Sequence, residues 1–399
     1  METTTAGIRV SIDIGCYQHS VAVGLPDGQL LDEFDIIHEP SGFTDFFNRI
    51  DARQREYGGV VKVAMEGYNG HARPLDTLVR LHDYQLFNIN NLKLARFKEI
   101  FPAAAKSDRI DARKGLEMFQ LSDHIPLAQG VLQAVSATPA VNDRLKRLTR
   151  RRRSLVDEKT RISSRFQSDL QAVCPGLLAI TGNAENSWFL HFITASDGLT
   201  KLSRLQDRSI KNIPGVGPKF AAIIAQWQPT AQFSHEADYV GPMIQEDAAR
   251  LIDLKAQTKG LRNQCESLMA ESEIGRLVDS MPGFSVICAS ELAGEIGTVD
   301  RFKNEGSLAL YLGMAPLTKS SGKVQSAKAP RHVNKRAKAA MMIGIDRHRK
   351  QVPESQCFYE KKRLEGKGHN QAIRALARHL CRVLFTMLKQ GREYERRDQ

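Results

Sequence analysis

Two carboxylates three residues apart, in Lys106-Ser107-Asp108-Arg109-Ile110-Asp111-Ala112-Arg113, constrain this chain more than any other stretch. At the start of a helix, that spacing puts both side chains on one face, one turn apart. Basic residues flank them on both sides. Such a pair makes chemical sense where the partner is anionic and a divalent cation sits between, because Mg²⁺ takes carboxylate and phosphate oxygens together. The plainer reading is a helix start, with Asp108 as N-cap and Asp111 favouring the positive end of the dipole. What lies upstream separates the two.

Upstream, Ile8 to Gly15 alternates in polarity, Ser20 to Leu25 follows, and Pro26-Asp27-Gly28 makes a turn. This predicts a β-hairpin, with a further strand over Gln29 to Ile36. Asp13 falls in the middle of the first strand, where a carboxylate is disfavoured. A β-branched strand over Val60 to Met65 ends in Glu66-Gly67. A helix over Pro74 to Leu81, a strand over Tyr84 to Ile89 and the stretch Phe97 to Ala105 then lead to the Asp108/Asp111 pair. Each acid alone is an ordinary edge, terminator or cap residue. Their order on a hairpin followed by β-α-β predicts an RNase H-like (RuvC-like) arrangement, in which acids at one edge of the central strands hold metal for phosphoryl chemistry.

The chain of 399 residues is long enough for two or three domains. No apolar run approaches the ~20 residues of a membrane span. Met1-Glu2-Thr3-Thr4-Thr5 lacks the apolar core of a secretory signal. The six cysteines, at 16, 174, 265, 288, 357 and 381, form no CxxC pair. Neither a zinc site nor a disulfide framework is expected, and a reducing, cytoplasmic setting fits. Net charge is +12, and from Leu317 onward 21 Lys+Arg face 7 Asp+Glu, so that segment carries the whole excess. A basic block of this kind is the electrostatic footprint of a nucleic-acid binder. The plainer alternatives are a solvated basic surface or attraction to acidic lipid.

Asn142 to Ala172 reads as an extended helix with an approximate heptad trace at Leu145, Leu148, Leu155 and Ile162, with a second helix over Asp247 to Leu277 as its candidate partner. Its Arg150-Arg151-Arg152-Arg153 run suits either phosphate contact or a solvated face. Between these helices lies Ile213-Pro214-Gly215-Val216-Gly217-Pro218-Lys219-Phe220, a helix-hairpin-helix turn. Gly215 and Gly217 would let backbone N–H groups approach a phosphate, with Lys219 beside them; an ordinary tight turn is the alternative. A related stretch, Met281-Pro282-Gly283-Phe284-Ser285, carries serine at the second glycine position, which favours packing over a phosphate cradle.

Beyond it stand Arg301-Phe302, Tyr311-Leu312-Gly313, Pro316 and Lys319-Ser320-Ser321-Gly322-Lys323. With Asp13, Glu66 and Asp108-Arg109-Ile110-Asp111-Ala112-Arg113, these make the chain resemble, over almost its whole length, the insertion-sequence transposases (the insertion sequence 110 type). That family pairs a DEDD RuvC-like domain with a C-terminal serine domain, and includes the Piv recombinase and the bridge-RNA-guided recombinases. The resemblance implies a tetrad of Asp13, Glu66, Asp108 and Asp111 that binds Mg²⁺, with Mn²⁺ as a substitute. It implies Ser321 as the nucleophile that links covalently to DNA, with Ser320 as its competitor. It also implies donor and target DNA, a non-coding guide RNA, and a homodimer that assembles to a tetramer. A bacterial cytoplasmic protein, nucleoid-associated when active and without a membrane partner, is expected.

The domains expected are an α/β RuvC-like catalytic domain over 1–125, a helical coiled-coil middle over 126–278 with the helix-hairpin-helix near 211–226, and a mostly α serine domain over 279–399. Lys319, Lys323, Arg331, Lys335, Arg336 and Lys338 are the expected nucleic-acid contacts of the last, beside Gly215, Gly217 and Lys219 of the middle. The sequence departs from the family's pattern at Ser285, at Val333-Asn334 in place of Gly-Asn, and at Cys16-Tyr17-Gln18, where a lysine is common. Two other functions fit part of the pattern. One is a junction-resolving RuvC-like nuclease in which water attacks. The other is a non-catalytic helix-hairpin-helix nucleic-acid binder.

Overall fold

Ile8, Val10 and Ile12 are fully buried on one face of strand β1 (Gly7–Ile14), and Arg9, Ser11 and Asp13 alternate with them on the other. The computed structural model describes residues 7–66, 70–99, 107–124, 132–315, 317–321, 324–328 and 333–396; for 317–321 and 324–328 the backbone alone is described. The chain divides into two units, Met1–Ala137 and Thr138–Gln399.

In the first unit, β1 pairs antiparallel with β2 (Gln18–Gly24), and β2 with β3 (Leu30–Ile37). Helix α1 (Pro40–Tyr57) leads to β4 (Val60–Glu66), parallel to β1. Helix α2 (Arg73–Leu81) leads to β5 (Gln85–Ile89), parallel to β4. Then follow α3 (Asn91–Lys98), α4 (Asp108–His124) and β6 (Leu132–Ala134), antiparallel to β5. The strand order is β3-β2-β1-β4-β5-β6.

Phe43, Phe46, Phe47 and Ile50, spaced as one stripe of α1, bury against Val10, Val21 and Val63 on one face of the sheet. On the opposite face Ala64 and Ile89 meet Leu94 of α3 and Met118 and Phe119 of α4, and Ala22 meets Ala112 and Leu116. Helix α4 lies tight on the sheet because Gly115 has no side chain. A Cβ there would stand 2.2 Å from Ser11 Oγ.

The second unit is mostly helical. Its first part contains α5 (Ala140–Val173), α6 (Pro175–Ala179), α7 (Ser187–Ile193), α8 (Asp207–Lys211), α9 (Pro218–Trp227) and α10 (Ala237–Met269). The remainder contains α11 (Glu273–Asp279), α12 (Val286–Ile296), α13 (Glu305–Tyr311), the hairpin β7 (Leu317–Ser321) and β8 (Val324–Lys328), α14 (Lys335–Arg349), α15 (Pro353–Leu364) and α16 (His369–Gln390). Helices α5 and α10 run antiparallel: Arg165 pairs with Asp247 and, further back along α5, Glu158 pairs with Arg250. The partner of the long helix thus starts earlier than Asp247. It also stops at Met269, where Ser272 caps the separate helix α11 through the Gly275 N–H at 2.9 Å.

Two hydrophobic clusters fill this unit. One gathers Phe166, Phe189, Phe192 and Leu251; the other gathers Leu145, Leu277, Leu292, Met341 and Leu384.

Candidate active site

The register of β1 and β4 brings the first two acids together. Ile12 pairs with Met65, so the next step along the parallel pair brings Asp13 beside Glu66, on the face that α4 covers. Helix α4 supplies Asp111 and Asp108 from its first turn. Ser107 begins the helix: its Oγ accepts from the Ile110 N–H at 3.3 Å and its carbonyl accepts from the Asp111 N–H at 3.1 Å. The cap is therefore Ser107, which leaves the Asp108 carboxylate outside the capping role that the sequence offered it.

The acids sense one another. Burial first, then the charges of Glu66, Asp111 and Asp108, push the Asp13 carboxyl up to about 6, against a smaller opposing pull from Lys98. Burial also raises Glu66; Lys98 opposes this and Asp111 adds to it. Lys98, at the end of α3, sets its Nζ 2.9 Å from Asp111 Oδ1 and 3.8 Å from Glu66 Oε2. This lysine was missed in the sequence. Among the described residues, no three His, Cys, Asp or Glu side chains are grouped closely enough to hold a metal as they stand. The donor set nevertheless fits a hard divalent ion, being all carboxylate oxygens around negative charge that one ammonium compensates only in part.

The basic residues around Asp108 and Asp111 have a different job from the one their charge suggests. Arg109 Nε and Nη2 donate to Asp35 Oδ2 at 3.0 and 2.6 Å, and hold that carboxyl below its ordinary range. Arg113 grips Glu33 with two hydrogen bonds. Both arginines thus tie α4 to β3. Beyond Asp13 lies a chain of rings: Cys16 Sγ stands 3.4 Å from His71 Nε2, and His19 Nε2 2.8 Å from His38 Nδ1. Burial, then the charges of His38 and His71, pull His19 down to about 4. Tyr17, in the same loop, is 89% exposed.

In the second unit, Ser321 closes β7 opposite Val324, and Ser320 pairs with Gln325. Lys319 lies on β7, while Lys323 and Arg331 fall outside the described residues. The roots of the hairpin are clipped together by the Asn334 N–H, which donates to the Tyr311 carbonyl at 2.9 Å. Asn334 Oδ1 caps α14 through the Arg336 and Ala337 N–H groups, both at 3.0 Å. Its Nδ2 donates to Glu295 Oε2 and the Tyr311 hydroxyl, both at 2.7 Å.

Burial pushes the fully buried Glu295 up, but hydrogen bonds from Arg150 and Asn334 outweigh it and leave the carboxyl below its ordinary range. Arg150 is thereby used inside the fold, and Arg153 stands 3.8 Å from the buried Glu291. Half of the tetra-arginine run faces acids of α12 rather than a ligand. Lys335 is exposed at the start of α14, with Arg336 and Lys338 half-buried. Gly215 and Gly217 are exposed in the turn between α8 and α9, and Lys219 is exposed at the start of α9.

Residues 10–175 match the DEDD transposase family model of IS110 elements, and residues 275–360 match the model described as transposase IS116/IS110/IS902 family. The first match takes in all four acids, the second Ser321 and Asn334. The chain belongs to the IS110 transposase family.

The chain is 25% identical to an uncharacterized 43.6 kDa protein of insertion element IS110 from Streptomyces coelicolor, over 99% of this chain and 97% of the relative. It is 23% identical to a 44.8 kDa protein of insertion element IS116 from Streptomyces clavuligerus, over 98% and 97%. It is 37% identical to a 42 kDa protein of insertion element IS900 from Mycobacterium paratuberculosis, over 30% of each chain. As an IS110 transposase the protein is an enzyme that cuts and rejoins DNA, and DNA is its substrate. The DEDD character of the first model implies use of a divalent metal. No described helix is long and apolar enough to cross a membrane.

Proposed function

We propose that this transposase cuts and rejoins DNA strands through Ser321 as nucleophile, assisted by Mg²⁺ held by Asp13, Glu66, Asp108 and Asp111. The observation that carries the reading is the approach of β1, β4 and α4 on one sheet face, with Asp13 pushed to about 6 by burial and then by the other three acids. Bound there, a divalent cation supplies Lewis-acid polarisation of the scissile phosphate. The strand order with a β1–β2–β3 meander and parallel β4 and β5 supports an RNase H-like fold for this unit.

The Ser321 hydroxyl oxygen forms the new ester to phosphorus while the bond to the leaving deoxyribose oxygen breaks, and the hydroxyl proton ends on that oxygen. One phosphoester replaces another, so rejoining needs no ATP. Asn334, Tyr311 and Glu295 fix the roots of the β7–β8 hairpin that carries the serine. Lys319, Lys323, Arg331, Lys335, Arg336 and Lys338 supply phosphate contacts, and Gly215, Gly217 and Lys219 act as a helix-hairpin-helix. The two hydrophobic clusters of the second unit support separate middle and C-terminal parts there. An element-encoded guide RNA selects donor and target, and dimers pair into a tetramer, as in the resembling recombinases.

The test is adduct formation with Mg²⁺, DNA bearing the element's ends, and RNA transcribed from its flanks. Denaturing gels and peptide mass spectrometry should find DNA on the Ser321 peptide. Ser321→Ala and Asp108→Ala should each lower adduct by about 10³-fold or more. The alternative reading is a hydrolytic RuvC-like nuclease, in which the four acids, all of the first unit, act on water. Cleavage without adduct, retained in Ser321→Ala, would establish that reading.

A further inference from the structure

Lys98 is the last residue of α3, one turn beyond Leu94. Asn90 caps that helix through the Lys93 N–H at 3.2 Å, and Leu94, 1% exposed, anchors it against Ala64, Ile89 and Phe119. Four residues on, the same face presents Lys98 to the acid cluster. Its Nζ pairs with Asp111 at 2.9 Å and lies 3.8 Å from Glu66. Lys98 thus stands among the oxygens that a metal would need, and offers one positive charge where a divalent ion offers two.

We propose that Lys98 is a built-in cation that holds the carboxylates in the metal-free transposase and must be displaced for a divalent ion to bind. Lys98 then sets the metal concentration at which the site is filled. Without the ammonium, the acids repel one another until metal arrives. With it, the site is held ready, and the ion has to compete. This inference rests on the proposed metal role of the four acids.

Mn²⁺ binding to the full-length protein without DNA, followed by electron paramagnetic resonance and calorimetry, tests it independently of cleavage. Lys98→Gln should tighten Mn²⁺ binding by about tenfold, the equivalent of one pKa unit of differential interaction. Lys98→Arg, which keeps the charge, should bind within about threefold of the unaltered protein, on the same scale. In EDTA, Lys98→Gln should melt below the unaltered protein, and Mn²⁺ should raise its melting temperature by more. Unchanged or weaker Mn²⁺ binding in a folded Lys98→Gln, or equal tightening in Lys98→Arg, overturns the inference while leaving the metal reading intact. Asp13→Asn separates the two ideas: Mn²⁺ binding that ignores this change removes the metal reading and the inference together.

Discussion

The second unit contains the same turn twice, in two settings. Gly215 and Gly283 have φ of 80° and 87°, and the next-but-one residues, Gly217 and Ser285, have φ of −85° and −89°. The hydrogen bonds also correspond: Val216 N–H to the Ile213 carbonyl at 3.0 Å, Phe284 N–H to the Met281 carbonyl at 3.2 Å. Each turn starts a helix, α9 or α12.

The surroundings differ. Around the first turn Gly215, Gly217 and Lys219 are exposed, and a Cβ on Gly217 would meet nothing within 4 Å. The second turn is wedged against α14: a Cβ on Gly283 would lie 2.3 Å from the His348 nitrogen of the main chain. His348 Nδ1–H donates to the Pro282 carbonyl at 2.8 Å. One backbone motif therefore occurs in two settings, an exposed edge and a joint packed against α14. Serine at 285 is no defect, because the extended backbone there asks nothing special of glycine.

The largest break in this comparison should come from Gly283→Ala. Positive φ and a main-chain overlap coincide there, so urea unfolding should show a loss of about 3 kcal/mol or more. Gly215→Ala carries the positive φ but meets Trp188 no closer than 3.3 Å, at its Cβ, with the main-chain Cα and N at 3.5 and 3.7 Å. Its loss should be about 1–2 kcal/mol by the same measurement. Equal losses at the two sites would erase the distinction between joint and edge.

Acid should loosen the joint selectively. Burial, opposed by the Pro282 hydrogen bond, lowers the His348 pKa below its ordinary 6.5. The unfolded chain then binds a proton that the folded chain refuses. Stability from this group is complete above pH 6.5 and is lost as pH falls toward the lowered value. Comparing urea midpoints at pH 7.5 and 5.5, the unaltered protein should lose more than His348→Asn, which keeps a donor and cannot titrate.

The smallest stability changes belong to the open turn. Gly217→Ser should be neutral or stabilising by a few tenths of a kcal/mol, about 0.4 at most, through a stiffer unfolded chain. Lys219→Ala should leave the urea midpoint within about 0.5 kcal/mol. It should nonetheless weaken nucleic-acid binding and reduce the slope of log affinity against log salt by about 1. An unchanged slope would remove Lys219 from the interface.

The periodic and punctuated parts of the chain were legible before any fold was known. Alternation gave β1 and a β-branched run gave β4, glycine and proline marked both turns, and acids at recognisable element positions gave Asp13, Glu66, Asp108 and Asp111 as candidates. These signals are local, a few residues of one element each.

Missed features depend on partners far along the chain. Arg109 and Arg113 meet Asp35 and Glu33 across 74 and 80 residues, and Arg150 meets Glu295 across 145. A positive charge reads the same whether it waits for phosphate or grips a carboxylate, so the sequence could not show that these three arginines are already paired. Lys98 was invisible for a related reason: its position follows from Leu94 anchoring α3, and no motif marks it. The three-residue strand β6 is too short to show a period. By itself, the sequence determined which backbone each segment prefers and which chemistry it carries. The tertiary structure alone decided which charges are already neutralised, because that depends on distances between elements rather than on any element's own pattern.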